Sequence, residues 1–307
     1  MKKEAELKYP HSANLFKFCR RVLDHKYGGI RVIDQDVGQI LGFDPADCSH
    51  WKKGKKNIRS IQAMKSIAGH LGVDKNLVVD VASGEISDVE AYWEFTGYGS
   101  FKIDHKILEA AKKEYYRKHS GSWSRTKEQE FKDFFQINTN LIRKKVVEIH
   151  QTIGYLEAPL YLPEIVSHYP EVQLKPVNQW KDAQAGSPVH YYQEGSKFVI
   201  SYKTGLELKP YMRFRIAKSM AAHFLPRRPQ QPSNLKSFEK HIADIEGNIF
   251  ASHLLAPVAL IRQEFKQIDT SKDLIIQLSE AFWVSRSFIN QRIAEIMLGE
   301  LSDSAGI

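Results

Sequence analysis

Residues 33–73 read IDQDVGQILGFDPADCSHWKKGKKNIRSIQAMKSIAGHLGV, and the spacing of apolar and turn residues in this stretch decides how the N-terminal part folds. Asp34 suits the cap of a helix whose inner face is Val37, Ile40 and Leu41. Gly42 ends that helix, because a sharp turn there needs positive φ without a Cβ penalty. Asp44 then suits an N-cap and Pro45 the first helical position, where a missing N–H costs nothing. The next helix is expected to bury Cys48 and Trp51 and to turn Ala46, Asp47, Ser49, His50 and Lys53 outward. Gly54 stops it, and Ser60 caps a further helix with Ile61, Met64, Ile67, Ala68 and Leu71 inside. Two short helices joined by a glycine turn of about three or four residues have helix-turn-helix geometry.

Outward from this motif, the charge supports a polyanionic partner. The chain has 307 residues and a formal net charge of +8. Most of the excess lies in residues 1–80, which hold fifteen Lys and Arg against nine Asp and Glu. Such a basic terminal region suits nucleic acid before membrane. Lys53, Lys55, Lys56 and Arg59 gather at the end of the second short helix, a cation cluster suited to phosphates. His50 and Ser49 are the best base-edge candidates on its face. Ala46 can touch only a thymine methyl, and Asp47 repels phosphate unless it accepts from cytosine N4.

The order of these residues resembles the lambda-repressor-like (XRE-type) DNA-binding family. The landmarks are Val37-Gly38, Gly42, Ser49-His50-Trp51-Lys52-Lys53-Gly54 and Leu71-Gly72-Val73. The resemblance implies double-stranded DNA as partner, an operator read by a homodimer, and phosphate contacts from Lys53, Lys55, Lys56 and Arg59. The reading face departs from the family: Pro45, Ala46 and His50 stand where base-reading glutamines are common, and Lys52 replaces a usual glutamate.

Composition excludes several classes. The chain is 42% hydrophobic and 26% charged, enough apolar material for about two ordinary domains and not that of a disordered tail. Two cysteines, Cys19 and Cys48, make neither a disulfide framework nor a four-cysteine zinc site. No apolar run approaches a membrane span of about 18 residues or a signal peptide, so a cytoplasmic protein with no membrane partner is expected. Cys19, in LFKFCRRVL, reads as core rather than nucleophile.

The expected organisation is a helix-turn-helix domain over 1–83, a helical connector over 84–125 and a second domain over 126–307. A helix should run from near Asp104 to a Ser120-Gly121 stop. A Thr126–Gln129 capping box should open a long helix through Phe131, Phe134, Phe135, Leu141, Ile142 and Val146. Tyr92, Trp93, Phe95, Tyr98 and Phe101 either stack bases or, the favoured expectation, pack the connector on the second domain. Val189–Tyr192 and Lys197–Tyr202 flank Glu194-Gly195-Ser196, a hairpin signal. Helical periodicity returns at 211–225, 235–255 and 271–297. The fold class is α+β, predominantly α-helical, with a small antiparallel sheet.

This second half resembles the ImmA/IrrE family of zinc metallopeptidases, often encoded beside or fused to helix-turn-helix repressors. The carrying stretches are LIRKKVVEIHQTIGYLEAPLYLPEIVSHYPEVQLKPV (141–177), KFVISY (197–202), RFRIAKSMAAHFL (213–225), IEGNIFASHLLAPVALI (245–261) and LSEAFWVSRSFINQRI (278–293). The resemblance implies a zincin-like helical domain. A zincin holds Zn²⁺ with H-E-x-x-H on one helix. Here that segment reads Lys218-Ser219-Met220-Ala221-Ala222, with a cation, a hydroxyl and a methyl in place of two imidazoles and the carboxylate base. Glu246 matches a downstream glutamate ligand, and one carboxylate does not hold zinc. The expectation is therefore no catalysis, no metal and no cofactor. The degenerate pocket of Arg213, Lys218, Ser219, Ala222 and Glu246 would be tied by Lys218 or Arg213 pairing with Glu246. It would serve dimerisation, ligand sensing or partner binding, with a small-molecule effector or a protein at the pocket.

Two rivals stay open. One is an atypical metalloprotease acting on a repressor through a shifted ligand set drawn from His223, His241, Glu246 and His253. The other is an interaction protein, antitoxin-like or of phage defence, whose helix-turn-helix no longer reads DNA.

Overall fold

Chain breaks and caps predicted from the N-terminal sequence become helix ends in the computed structural model, which describes residues 7–27, 32–97, 103–119, 135–154, 157–178, 187–204, 209–226 and 235–304. The chain divides into two units, Met1–Thr96 and Gly97–Ile307. The first consists of α1 (Pro10–Lys26), α2 (Asp34–Leu41), α3 (Pro45–Lys52), α4 (Ile61–Leu71), α5 (Lys75–Ser83) and α6 (Asp88–Gly97). Gly42 adopts φ +73°, which turns the chain between α2 and α3. The Asp44 carboxylate then accepts from the Ala46 N–H at 2.8 Å and opens α3 with Pro45 in its first turn.

The core of this unit forms around Trp51, which has no exposed surface and meets Phe16 edge-on at 5.2 Å and Phe43 at 5.1 Å. Cys19 and Cys48 are both buried and free, and burial pushes the Cys19 thiol far above its ordinary range. Two local expectations fail. The N-terminus of α2 is closed by Asp36, which accepts from the Ile33 N–H at 2.9 Å, while Asp34 turns to cations. Ile61 is 72% exposed, because it opens α4 at the margin of the apolar stripe, a turn short of the core.

Residues assigned to a connector divide between the units. Tyr92 and Phe95 of α6 pack on His25 of α1 within the first unit, with ring centroids 6.0 and 5.6 Å away. The reason is register: Ala91 is fully buried in the first unit's core, which fixes its neighbours against α1. Tyr98 and Phe101 lie outside the described residues.

The second unit opens with α7 (His105–His119), capped by Asp104, whose carboxylate accepts from Lys106 and Ile107 at 2.7 and 3.1 Å. Its Ser120-Gly121 stop and the Thr126–Gln129 box are outside the described residues. The helix expected to run into Val146 is interrupted at residues 136–138, and α8 (Thr139–Ile153) starts afresh, because the Asn138 side chain caps it by accepting from the Leu141 N–H at 2.9 Å. After α9 (Leu162–Ser167) come β1 (Val172–Val177), β2 (Val189–Glu194) and β3 (Lys197–Lys203).

The hairpin of β2 and β3 forms in antiparallel register from Val189↔Tyr202 to Glu194↔Lys197. The sheet is nevertheless mixed rather than antiparallel. β2 occupies one edge of β3, and β1 joins the other edge in parallel, from Val172↔Phe198 to Val177↔Lys203. The molecule is α+β and predominantly α-helical.

The remaining helices are α10 (Pro210–Phe224), α11 (Lys236–Leu255), α12 (Val258–Phe265), α13 (Leu274–Phe282) and α14 (Arg286–Ser304). The periodicity over 271–297 is two helices rather than one, because Trp283 takes a left-handed conformation at φ +52° and ends α13. Among the described residues no helix is long and apolar enough to cross a membrane.

Trp51→Ala is expected to cost the first unit about 3–5 kcal/mol, as large aromatic truncations in cores do. Urea denaturation followed by circular dichroism checks it.

Candidate functional site

The outward face of α3 and the loop after it gather the N-terminal site residues. Ala46 and His50 are exposed one turn apart, and Asp47 and Ser49 are half-buried beside them. The loop folds back on the end of α3: Lys53 N–H donates to Ser49 O at 3.2 Å and Lys55 N–H to His50 O at 2.8 Å. These bonds hold Lys53 and Lys55 beside His50. Ser12 of α1 holds the loop from inside. Its carbonyl accepts from Trp51 Nε1 at 2.5 Å, and its hydroxyl accepts from the Ile58 N–H at 2.9 Å and donates to Asn57 at 3.2 Å.

The cations on this face are not equivalent. Lys56 is ion-paired with Asp47, and Lys52 meets Asp34 at 2.5 Å while Arg20 approaches the same carboxylate at 3.5 Å. Lys53, Lys55 and Arg59 are exposed and have no carboxylate partner among the described residues. Two unpaired lysines beside an exposed imidazole, with an exposed arginine further along the loop, form a surface suited to a phosphate backbone. Asp47 thus faces Lys56 rather than offering a free acceptor.

The second set of predicted residues separates. Arg213 is 4% exposed and spends its guanidinium on main-chain carbonyls: Phe282 O at 2.8 Å, Trp283 O at 2.5 Å and Leu160 O at 2.5 Å. It lies 5.2 Å from the Trp283 ring centre. Burial lowers its pKa to about 10, so it stays protonated at neutral pH. Its role is to close the C-terminus of α13, and the pairing with Glu246 expected of it does not form.

Lys218 pairs instead with Asp244, Nζ to Oδ1 at 2.5 Å. The helix crossing explains the change of partner. A Cβ on Gly247 would sit 3.0 Å from Lys218 Cγ and 3.4 Å from its carbonyl oxygen, so the glycine marks a close approach of α10 and α11 that a side chain would crowd. Asp244 precedes that glycine by one turn and meets the ammonium. Burial pulls the Lys218 pKa down, opposed by Asp244. Ser219 donates to Arg215 O at 2.9 Å, and Ala222 is half-buried one turn further on.

The zinc that the metallopeptidase resemblance implies does not fit this donor set: an ion-paired ammonium, a hydroxyl donating within its own helix and a methyl offer no ligand set. The shifted set does not assemble either. His223 faces Glu171 at 3.3 Å, His241 Nε2 accepts from the Asp104 N–H at 3.1 Å, and His253 sits between Arg143 and Arg292. Among the described residues no three of His, Cys, Asp and Glu come together to hold a metal ion.

Asp244, Arg143 and Arg292 were not singled out from the sequence. Gly247 inside a helical pattern was the available signal for the first, since such a glycine marks a close helix approach. For Arg292 the signal was a charge on the apolar face of SFINQRIAEI.

Comparison with models of known protein families, with curated proteins and with solved structures gives no match.

Stability of the second unit should fall in acid. Burial holds the His150 ring below its ordinary pKa, and burial with Arg292 and Arg143 pulls His253 down to about 3. The unfolded chain protonates both rings as pH drops through about 6.5, while the folded unit resists protonation of His150 and holds His253 neutral down towards pH 3. The unfolded state then binds more protons, so stability present above about pH 6.5 is lost progressively as pH falls towards 3. Urea denaturation at a series of pH values should show this slope, and His253→Gln should flatten it.

Proposed function

We propose that the chain is a DNA-binding transcriptional regulator. Its first unit acts as a lambda-repressor-like helix-turn-helix. Its second is an ImmA/IrrE-like unit without peptidase chemistry, serving dimerisation, ligand sensing or partner binding. The observation that carries this proposal is α2, the Gly42 turn and α3 presenting His50 beside the exposed Lys53 and Lys55, with Arg59 exposed on the same loop. On this account Lys53, Lys55 and Arg59 contact phosphates, with Lys56 held back by Asp47. His50 and Ser49 meet base edges, and a homodimer on a palindromic operator follows from the family resemblance. No step of chemistry is assigned to Ser219 or Glu246, because Lys218 is committed to Asp244.

Binding of the full chain to a mixed-sequence duplex, followed by fluorescence anisotropy across salt concentrations, tests the assignment. Lys55→Ala should weaken binding to all duplexes alike and lower the logarithmic salt slope by about 0.9. Lys56→Ala should change that slope less. On a selected operator, His50→Ala should alter sequence preference by about 1–3 kcal/mol. A chain that binds no duplex at low salt, or a Lys55→Ala variant with an unchanged slope, overturns the proposal.

A further inference from the structure

Three elements of the second unit meet at His253. Arg292 of α14 is 3% exposed, and its donors are committed: Nε to Ala256 O at 3.1 Å, one terminal nitrogen to Glu295 at 3.1 Å, the other to His253 Nδ1 at 2.9 Å. A guanidinium has only N–H donors, so Nδ1 must be the acceptor of that bond. Burial and the neighbouring guanidiniums keep the ring neutral at physiological pH. A neutral imidazole carries one proton, which therefore sits on Nε2. Arg143 of α8 approaches from the opposite side, with its Nε–H directed at this same Nε2 from 3.5 Å. Two N–H groups thus converge on one place, and a ring whose Nδ1 already accepts cannot accept at Nε2 as well.

Charge favours the same kind of guest. Two guanidiniums flank the ring, and Glu295 of α14 is bonded to Arg292, its pKa raised by burial against the opposing pull of Arg292 and, more weakly, Arg143. His150, on the same helix as Arg143, is neutral and bonded to Leu254 O at 3.2 Å. Arg143 is exposed and has no carboxylate within salt-bridge distance among the described residues.

We propose that Arg143 and the Nε2–H of His253 form a receptor for a small oxyanion, the phosphate or carboxylate group of a ligand, with Arg292 as the positioning residue that fixes the histidine tautomer. A guanidinium takes one oxygen edge of such a group and the imidazole N–H a second oxygen. Arg143, which reaches the surface, swings from its contact with the ring to clasp the anion. This site does not rest on the DNA-binding assignment.

The test uses the full chain, with ionic strength held constant by sodium chloride while inorganic phosphate or acetate is added. A saturable rise in the melting temperature is expected, because binding to the folded state alone stabilises it. Arg143→Ala should abolish that rise while leaving the melting temperature in chloride close to the parent's, and Arg143→Lys should retain part of it. The ¹⁵N resonances of the His253 ring should report Nε2 protonated before titration, and Nε2 should shift as anion is added. A larger response to phosphate assigns the site to phosphate esters, and a larger response to acetate assigns it to carboxylates. No rise with either anion, an equal rise in Arg143→Ala, or a His253 ring protonated on Nδ1 would overturn the proposal.

Discussion

The face that the first unit turns outward from α3 and its following loop is anchored from inside by one buried residue, Ser12. Ser12 is 2% exposed, yet its carbonyl and hydroxyl fix the indole of α3 and the backbone at Ile58. The same loop is also held by the Tyr9 N–H, which donates to Gly54 O at 2.8 Å, and by the burial of Ile58 in the core. Buried hydrogen bonds of this kind contribute modestly in net terms, about 1 kcal/mol each, but leaving their donors unsatisfied costs more. Both bonds to Ser12 are buried, so breaking either one leaves a donor unsatisfied away from water. A surface of exposed cations is thereby held to a fixed pattern.

The second unit solves a different problem with a buried guanidinium. Arg213 closes three carbonyls that the end of α13 and the chain at Leu160 leave open. Five N–H donors in a planar fork suit three carbonyls from two segments, which a lysine could not match. The same helix carries Lys218 at its close crossing with α11. The helix is thus committed at both positions to holding its neighbours.

The local order of the first unit was legible because its signals are short-range. The turn at Gly42, the caps at Asp44 and Ser60 and the burial of Cys48 and Trp51 each depend on a few neighbouring residues. The hairpin around Gly195 was legible for the same reason. What was missed depends on meetings across the fold. Periodicity could not show that β1 would join β3 in parallel, nor that Asp244 rather than Glu246 would reach Lys218, since the two carboxylates stand two residues apart, about 200° around α11, and the sequence does not say which side meets α10. Nor could it show Asp47 turning to Lys56, because a charge on an exposed helix face looks the same with or without a partner. The break before Thr139 was foreshadowed by Asn138, but the apolar residues on either side suggested continuity.

On the proposal that the chain is a DNA-binding regulator, the pairs Asp47–Lys56 and Asp34–Lys52 bear on how it would travel along a duplex. Each cation spent on an internal carboxylate is one fewer counterion released from a random duplex, so affinity for sequence that carries no message falls steeply with every pair. A regulator must leave wrong sites quickly to sample the many others competing with its operator. By withholding two lysines from the backbone, the acidic residues on α2 and α3 would shorten each stop along the way. Residues that look like flaws in a basic surface would then set the pace of its search.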